Sequence, residues 1–238
     1  MLHVYRIATL GALLLCSACV EVDDSAGPQD TGEGVLRGAL AFSFPLAERE
    51  AMNPPIIGFD HDPDVYEGIE RAYCTDYMGR GFPHCYDEHD GSDFMLDGGF
   101  DAMDAGSVAI VAALAGTVVE TDDGNYDRCH SDMSTQDVEC DGYPMVANFV
   151  ILEHSGGYRS LYWHMKTDSV AVAVGDVVAI GDTLGLVGSS GYSSGPHLHF
   201  EIQDAEKHAI DPFAGEHSQP ETWWCDQGDP DEFPEECL

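Results

Sequence analysis

The stretch SSGYSSGPHLHFEI, residues 189–202, decides how the rest of the chain is interpreted. A turn rich in glycine and serine leads into a run in which histidine alternates with apolar residues, and such alternation is typical of a β-strand. Because residues two apart in a strand point to the same face, His197 and His199 share one face. Leu198 and Phe200 then occupy the other. Spacing alone also fits two half-exposed strand histidines, so the interpretation depends on the surrounding sequence.

The segments around this stretch have the pattern of short strands separated by turns. Residues 172–188 contain short apolar runs divided by Gly-Asp turns, and residues 106–121 have the pattern of a strand, a turn and a second strand. Residues 148–165 have the pattern of a hairpin across HSGG. Helical periodicity is rare, although residues 62–78 have room for a turn or two of helix. The sequence therefore predicts an all-β, antiparallel domain over residues 35–215 with few short helices.

The charge of the chain is strongly unbalanced. Among 238 residues, 9 are lysine or arginine and 44 are aspartate or glutamate, which gives a formal net charge of −35. Such a chain repels phosphate backbones, so nucleic acid is excluded as a partner. The same charge keeps copies of a protein apart in solution, and we expect a monomer. The length suffices for one domain with a full core.

The N-terminus has the organisation of an export signal. Arg6 precedes an apolar run that is too short to span a bilayer, and small residues follow up to Cys19. We predict that residues 1–18 are a signal peptide and that the acidic residues 19–34 are a flexible tether. The sequence CSAC resembles a bacterial lipobox. This makes Cys19 the predicted lipidation site of a membrane-anchored lipoprotein in the periplasm or on the cell surface. An ordinary cleaved signal peptide is the alternative.

Six cysteines follow Cys19, and an even number in an exported chain is typical of disulfides. They form three couples that are close in sequence, and none has the CxxC spacing of a structural zinc site. We predict three disulfides, Cys74–Cys85, Cys129–Cys140 and Cys225–Cys237. The second lies in a polar insertion loop over residues 122–145, and the third closes an acidic C-terminal tail over residues 216–238.

Metal-ligating side chains come from separate parts of the chain. His89 and Asp93 lie four apart in EHDGSDF, in a context that favours a loop entering a strand. Together with one histidine of HLH they supply imidazole and carboxylate ligands, which suit Zn²⁺. Three protein ligands leave the fourth position of the metal open for water, as in catalytic zinc sites. His164, in LYWHM, offers a further imidazole on a separate strand.

In this combination of motifs the chain resembles the lysostaphin-type, LytM-like zinc metallopeptidases of family M23, which cut peptidoglycan cross-bridges. HDGSD resembles the family's HxGxD motif, and the hairpin that ends in LYWHM resembles its Tyr-x-His segment. Residues 172–202 resemble its most recognisable segment, and IDPFAG at 210–215 resembles its closing piece. The resemblance covers about residues 45–215 in order. It implies the antiparallel lysostaphin-like fold, the duplicated hybrid motif, with a metal-bearing cleft.

The resemblance also implies roles for individual residues. The implied ligands of one Zn²⁺ per chain are His89, Asp93 and His199. His164 and His197 match the family's two catalytic histidines that do not bind the metal, and the sequence leaves open which of them is the general base. The family also uses a tyrosine in the transition state. Tyr86 is nearby, but its spacing differs from the family pattern.

The implied activity is zinc-dependent hydrolysis of peptide cross-bridges in peptidoglycan through a metal-activated water. A catalytically silent cell-wall scaffold or amidase activator is one alternative, although all five site positions are present here. A lipoyl or biotinyl carrier is another, because its hairpin resembles VAVGDVVAIGDTLG. Lys166 lies too close to Gly175 for that hairpin. The sequence leaves open which peptide bond is cut.

Overall fold

The computed structural model describes residues 40–132 and 137–237, apart from the side chains of Ile69 and Glu70. The predicted signal peptide, the acidic tether and Cys19 lie outside the described residues. The predictions made for these segments therefore remain predictions.

Strands dominate the described residues. The strands are β1 Met52–Ile57, β2 Ser92–Leu96, β3 Ala109–Val111, β4 Gly116–Asp122, β5 His130–Ser131, β6 Val138–Glu139, β7 Phe149–Glu153, β8 Arg159–Trp163, β9 Val177–Val178, β10 Thr183–Leu186, β11 His197–Gln203 and β12 Ala209–Ile210. The α-helix α1 spans Gly99–Ala105, and short 3₁₀ helices span Arg49–Ala51, Gly68–Ala72 and Ser155–Gly157.

Eight of these strands form one sheet in the order β1-β2-β11-β8-β7-β4-β9, with β12 paired to β11. Two small sheets pair β10 with β3 and β5 with β6. Each pairing between these strands is antiparallel. The predicted all-β, antiparallel architecture is therefore confirmed.

Strand β11 lies inside the main sheet, between β2 and β8. Its residues Leu198, Phe200 and Ile202 are fully buried and belong to the hydrophobic core. Alternate residues of a strand point to opposite faces, so His197 and His199 lie on the face away from these apolar side chains. Each buried apolar side chain contributes about 1.5–3 kcal/mol to folding. This contribution fixes which face of β11 carries the histidines.

The hairpin of β7 and β8 brings His164 to the edge of the same site. The two strands pair in register around a turn over residues 154–158, where the sequence predicts one. Gly156 and Gly157 have φ angles of 77° and 83° in this turn, a region that residues with a Cβ rarely adopt. His164 follows directly after β8, so the hairpin sets its position next to β11.

Helix α1 has no counterpart in the sequence-based expectations. It contains only seven residues, GFDAMDA, and buries Met103. So short a segment contains too few turns for an apolar repeat to be visible in the sequence. The helix forms because its tertiary contacts bury this one apolar side chain rather than because of intrinsic propensity.

The segment after residue 215 packs into the core of the molecule. Trp223, Trp224 and Phe233 are 5%, 2% and 8% exposed. The segment also bonds to Phe42 through its main chain, because the Phe42 N–H donates to the Trp223 carbonyl and the Cys225 N–H donates to the Phe42 carbonyl. The acidic side chains of this segment lie mainly at the surface, while its large apolar side chains complete the core.

The described residues contain three disulfides, the same couples that proximity in the sequence predicts. The Cys129–Cys140 bond closes the insertion, in which β5 and β6 form a small hairpin rather than an irregular loop. Across residues 40–132 and 137–237, no helix is both long enough and apolar enough to cross a membrane.

Candidate active site and metal centre

The structure brings His89, Asp93 and His199 together at one point. His89 Nε2 lies 3.1 Å from His199 Nδ1 and 3.2 Å from Asp93 Oδ1, and His199 Nδ1 lies 2.9 Å from the same oxygen. His89 and Asp93 are buried, and His199 is partly buried. In the described part of the chain, this is the one group of at least three His, Cys, Asp or Glu side chains with ligand atoms within 4.8 Å of one another.

The spacing and the chemistry of these three atoms fit a tetrahedral zinc ion. Ligand atoms about 2.0–2.1 Å from a common centre at tetrahedral angles lie about 3.3 Å apart, close to the separations observed. The Gly58 carbonyl lies 2.7 Å from His89 Nδ1 and accepts the proton of that nitrogen. In the neutral ring, Nε2 of His89 then presents a lone pair to the Asp93 carboxylate. Two acceptors that face each other favour a cation between them.

The pairing of β2 with β11 sets the distance between Asp93 and His199. His199 lies opposite Asp93 in this pair, and the Cβ atoms of opposed residues are about 4.5–5.5 Å apart. His89 comes from the loop before β2, which passes close to β11 at Gly91. A Cβ at Gly91 would lie 2.7 Å from the Phe200 carbonyl oxygen and 2.8 Å from the His199 ring. The loop can make this approach only with glycine.

The buried carboxylate favours positive charge at this point. Burial alone would raise the pKa of Asp93, but the charges of His89 and His197 and the hydrogen bonds from His199 and His89 hold it well below its usual value. Burial alone would lower the pKa of His89, whereas Asp93 raises it overall. Burial lowers the pKa of His199. Asp93 is therefore ionised at neutral pH, as a metal ligand must be.

His164 and His197 lie beside the cluster. His197 Nε2 is 3.6 Å from Asp93 Oδ1, and the ring centroids of His164 and His197 are 4.6 Å apart. The Nδ1 of each ring faces a carbonyl oxygen at 2.7 Å, that of Ser190 for His164 and that of Gly195 for His197. A carbonyl can only accept, so each ring holds its proton on Nδ1. In its neutral form, each ring then has a lone pair on Nε2.

The environment of His164 also keeps its ring neutral. Burial, followed by the charges of His197 and His199, holds the pKa of His164 well below its usual value. Its backbone has a φ of 64°, in the left-handed region that non-glycine residues seldom adopt. Such backbone conformations cost of order 1–3 kcal/mol and cluster at functional sites.

A cleft of about 700 Å³ opens beside these groups and is lined by His89, His164 and His199. Residues 65–67 and Arg71 also line the cleft, and Trp163, Tyr192 and Glu201 contribute from other parts of the chain. Burial raises the pKa of Glu201. A peptide that enters the cleft meets aromatic and acidic side chains around the cluster.

Two tyrosines, Tyr86 and Tyr192, also line this cleft. The sequence analysis gives neither of them a role. The Tyr86 ring stacks on His89 with centroids 4.2 Å apart and is 38% exposed. Burial, followed by the charge of Asp93, raises the pKa of Tyr86. Tyr192 is 58% exposed and belongs to the glycine-serine turn that precedes HLH. Its place in this turn, directly before the strand that carries His197 and His199, is the feature of the sequence that points to the cleft.

The cluster combines two imidazoles and a carboxylate beside an open cleft, a ligand set that suits a catalytic zinc ion. The chain belongs to peptidase family M23, whose model matches residues 88–212. Metallopeptidases of this family depend on zinc, and the cluster of His89, Asp93 and His199 lies inside the matched segment.

Several proteins with known names are similar to short parts of the chain. Peptidoglycan DD-endopeptidase ShyB of Vibrio cholerae is 37% identical over 60 residues, which are 25% of this chain and 14% of that protein. Lysostaphin of Staphylococcus simulans is 43% identical over 51 residues, 21% of this chain and 10% of that protein. A zinc-containing peptidase from Vibrio cholerae of known structure is 22% identical, with a TM-score of 0.45, over 72% of this chain and 39% of that chain. The alignments thus span only a small part of the curated relatives.

Proposed function

We propose that this protein is a zinc-dependent endopeptidase that hydrolyses the peptide cross-bridges of bacterial peptidoglycan. The observation that carries the proposal is the convergence of His89, Asp93 and His199 at a cleft, with three ligand atoms 2.9–3.2 Å apart. Membership of family M23 supports a peptidase activity, and the relatives named as peptidoglycan endopeptidases support the wall as substrate.

The proposed ligands are His89 Nε2, an Asp93 oxygen and His199 Nδ1. A zinc ion held there would supply a Lewis acid that polarises a peptide carbonyl and lowers the pKa of water. His164 and His197 are the proposed catalytic residues, since each anchors Nδ1 on a carbonyl and keeps Nε2 available. Such an imidazole can take a proton or, once protonated, donate a hydrogen bond to an oxyanion.

We infer that substrate choice depends on parts of the cleft outside the segment that matches the family model. Residues 65–67 and Arg71 line the cleft but precede the segment that matches the family model. Arg71 and the acidic Glu67 give this side of the cleft charges of both signs. Peptide stems that carry both ammonium and carboxylate groups are therefore the substrates we propose.

Digestion of purified peptidoglycan by the zinc-loaded protein tests the proposal. We expect mass spectrometry to detect uncrosslinked stem peptides, and the masses of the products identify the bond that is cut. A chelator should abolish the reaction, and added zinc should restore it. A protein that binds one zinc ion but leaves peptidoglycan and isolated wall peptides uncut would contradict the proposal and favour the scaffold alternative.

We also propose that the protein is exported and anchored by lipid at Cys19, with residues 19–34 as a spacer. The support is the CSAC sequence after a short apolar run. One acyl chain alone binds a membrane only marginally, so stable anchoring requires further chains. Cys19→Ala should move the protein from the membrane fraction to the soluble fraction. Unchanged retention in the membrane would contradict lipidation without affecting the proposed chemistry.

A further inference from the structure

A line of buried hydrogen bonds runs from the ring of His197 to the main chain of the insertion. His197 Nδ1 lies 3.2 Å from Ser193 Oγ, and Ser193 Oγ lies 2.8 Å from Ser189 Oγ. Ser189 Oγ in turn lies 2.6 Å from the carbonyl oxygen of Cys129. His197 is 4% exposed and the other three residues are fully buried, so water does not compete for these bonds.

The chemistry of the Cys129 carbonyl fixes the direction of the bond at the far end of this line. The Cys129 carbonyl can only accept, so Ser189 donates its proton to it. The one hydroxyl proton of Ser193 faces both Ser189 Oγ at 2.8 Å and the Gly195 carbonyl oxygen at 2.9 Å. The Ser193 oxygen accepts from the Nδ1–H of His197. The Gly195 carbonyl shares the same ring proton at 2.7 Å. Ser193 therefore links the ring of His197 both to the Ser189 hydroxyl and to the Gly195 carbonyl, in a buried network whose bonds can strengthen one another.

The insertion holds the far end of the line in place. The Cys129 N–H donates to the Ser189 carbonyl at 2.9 Å, and the Ser131 N–H donates to the Ser194 carbonyl at 3.1 Å. The disulfide Cys129–Cys140 closes the hairpin that carries these groups. The turn before β11 is thereby tied to the insertion by both its main chain and a side chain.

We propose that Ser189 and Ser193 are positioning residues for His197, and that the disulfide-closed insertion supplies the acceptor that orients them. The Gly195 carbonyl alone selects the tautomer of His197, but a single hydrogen bond does not fix the rotation of the ring. Ser193 contacts the same nitrogen as a second acceptor and so limits the plane of the ring. Catalytic groups need orientation within about 10–20°. The kinetic part of this inference rests on the proposed catalytic role of His197.

Ring NMR of His197 tests the line independently of activity. In the zinc-loaded protein with ¹⁵N-labelled histidine, Ser193→Ala should shift the His197 Nδ1–H signal. Ser189→Ala should shift it as well, although Ser189 does not contact the ring. Ser160→Ala is the matched control, because Ser160 is fully buried and its hydroxyl hydrogen-bonds to His154 instead, at 2.8 Å. A His197 signal unchanged in Ser189→Ala would overturn the proposal.

Kinetics on the same variants test positioning against a merely structural role. Ser189→Ala and Ser193→Ala should lower kcat by about 3- to 10-fold, equivalent to one hydrogen bond, with KM and zinc content unchanged. Because the two hydroxyls act in one line, the double variant should lose about as much as Ser193→Ala alone. Ser160→Ala should keep wild-type kcat even where it lowers stability. Losses that multiply in the double variant would contradict a shared line.

Removal of a disulfide tests the role of the insertion. Cys129→Ser with Cys140→Ser should shift the His197 ring signal and lower kcat clearly more than Cys225→Ser with Cys237→Ser, whose segment packs under β11 but does not contact the serine line. An equal effect of the two pairs of substitutions would contradict the proposal. If the Cys129→Ser, Cys140→Ser protein does not fold, Ser189→Ala and Ser193→Ala test the positioning of His197 instead. If the wild type cleaves no wall peptide while Ser189→Ala and Ser193→Ala still shift the His197 signal, the proposed function is refuted and the orienting role of the serines stands.

Discussion

Two residues apart on one strand face, His197 and His199 meet different partners. His199 turns Nδ1 toward Asp93 at 2.9 Å, while His197 turns Nδ1 toward the Gly195 carbonyl at 2.7 Å. The first arrangement presents a ligand atom to the cluster, and the second anchors the ring so that Nε2 stays available. The two histidines lie on the same face, but their Nδ1 atoms face different groups. The proposed roles of the two side chains differ for this reason.

Single substitutions separate the proposed ligands from the proposed catalytic residues. His89→Ala, Asp93→Ala and His199→Ala should each lower the zinc content together with the activity. His164→Ala and His197→Ala should retain about one zinc ion per chain, while turnover falls about 10²–10⁴-fold, the usual effect of losing a general acid or base.

Elemental analysis of the metal, measured beside activity for the same five variants, checks this prediction. The wild type treated with chelator and then reloaded with zinc is the control. If His197→Ala loses zinc as completely as His199→Ala, the roles of the two histidines have been assigned wrongly.

His154, far from the cluster in sequence and absent from it, should make stability depend on pH. Burial lowers the pKa of this 6% exposed ring, whereas an unfolded histidine takes up a proton near pH 6.5. The unfolded chain therefore binds more protons below that pH, and the stabilisation present above pH 6.5 is lost as the pH falls. Urea unfolding at pH 7 and pH 5 should show a smaller pH effect in His154→Gln than in the wild type. Equal pH effects in both proteins would argue against this role.

At the scale of elements, the site depends on segments that lie far from it in sequence. Strand β11 is held between β2 and β8, and the core beneath it includes Phe42 from the N-terminal side and Trp224 from the C-terminal segment. The Trp224 ring lies 5.5 Å from Phe200 of β11, centroid to centroid. The C-terminal segment therefore supports the strand that carries two of the site histidines.

Truncation of this tryptophan measures that support. Trp224→Ala should lower the free energy of unfolding by about 3–5 kcal/mol, the usual cost of removing a large buried aromatic side chain. Val177→Ala is the control, because Val177 is 81% exposed and its loss should change stability by about 0.5 kcal/mol or less. Denaturant titration of both variants provides the comparison. A change at Trp224 as small as that at Val177 would show that the C-terminal segment is not part of the cooperative fold.

For the whole molecule, charge is the dominant unusual property. With 44 acidic and 9 basic residues, the net charge of −35 places many carboxylates near one another without cationic partners. Repulsion among them opposes the compact state. Several of the arginines are already committed to ion pairs, such as Arg80 with Asp76 and Arg159 with Glu153.

Salt should therefore stabilise the protein. Sodium chloride shortens the screening length from about 30 Å at 0.01 M to about 3 Å at 1 M, so Tm should rise between these concentrations. Chloride is the appropriate salt, because sulfate stabilises most proteins through exclusion from their surface. A Tm that stays constant or falls over this range would contradict the argument from repulsion.

The sequence by itself determined the all-β class, the faces of β11 and the hairpin of β7 and β8, because strand alternation and turn residues are local signals. It also pointed to His89 and Asp93, since a loop of HDGSD type joins them over four residues. These features depend on neighbours in the chain, and the structure agrees with them.

Only the tertiary structure decided the rest. The short helix α1 and the burial of Trp223 and Trp224 follow from contacts with distant residues, which no local pattern contains. The same holds for the stacking of Tyr86 on His89 and for the serine line to the insertion. Hydrogen bonds between residues about 60 apart form only after the sheet has fixed their separation. The sequence could therefore name the histidines, while the fold decided what each of them faces.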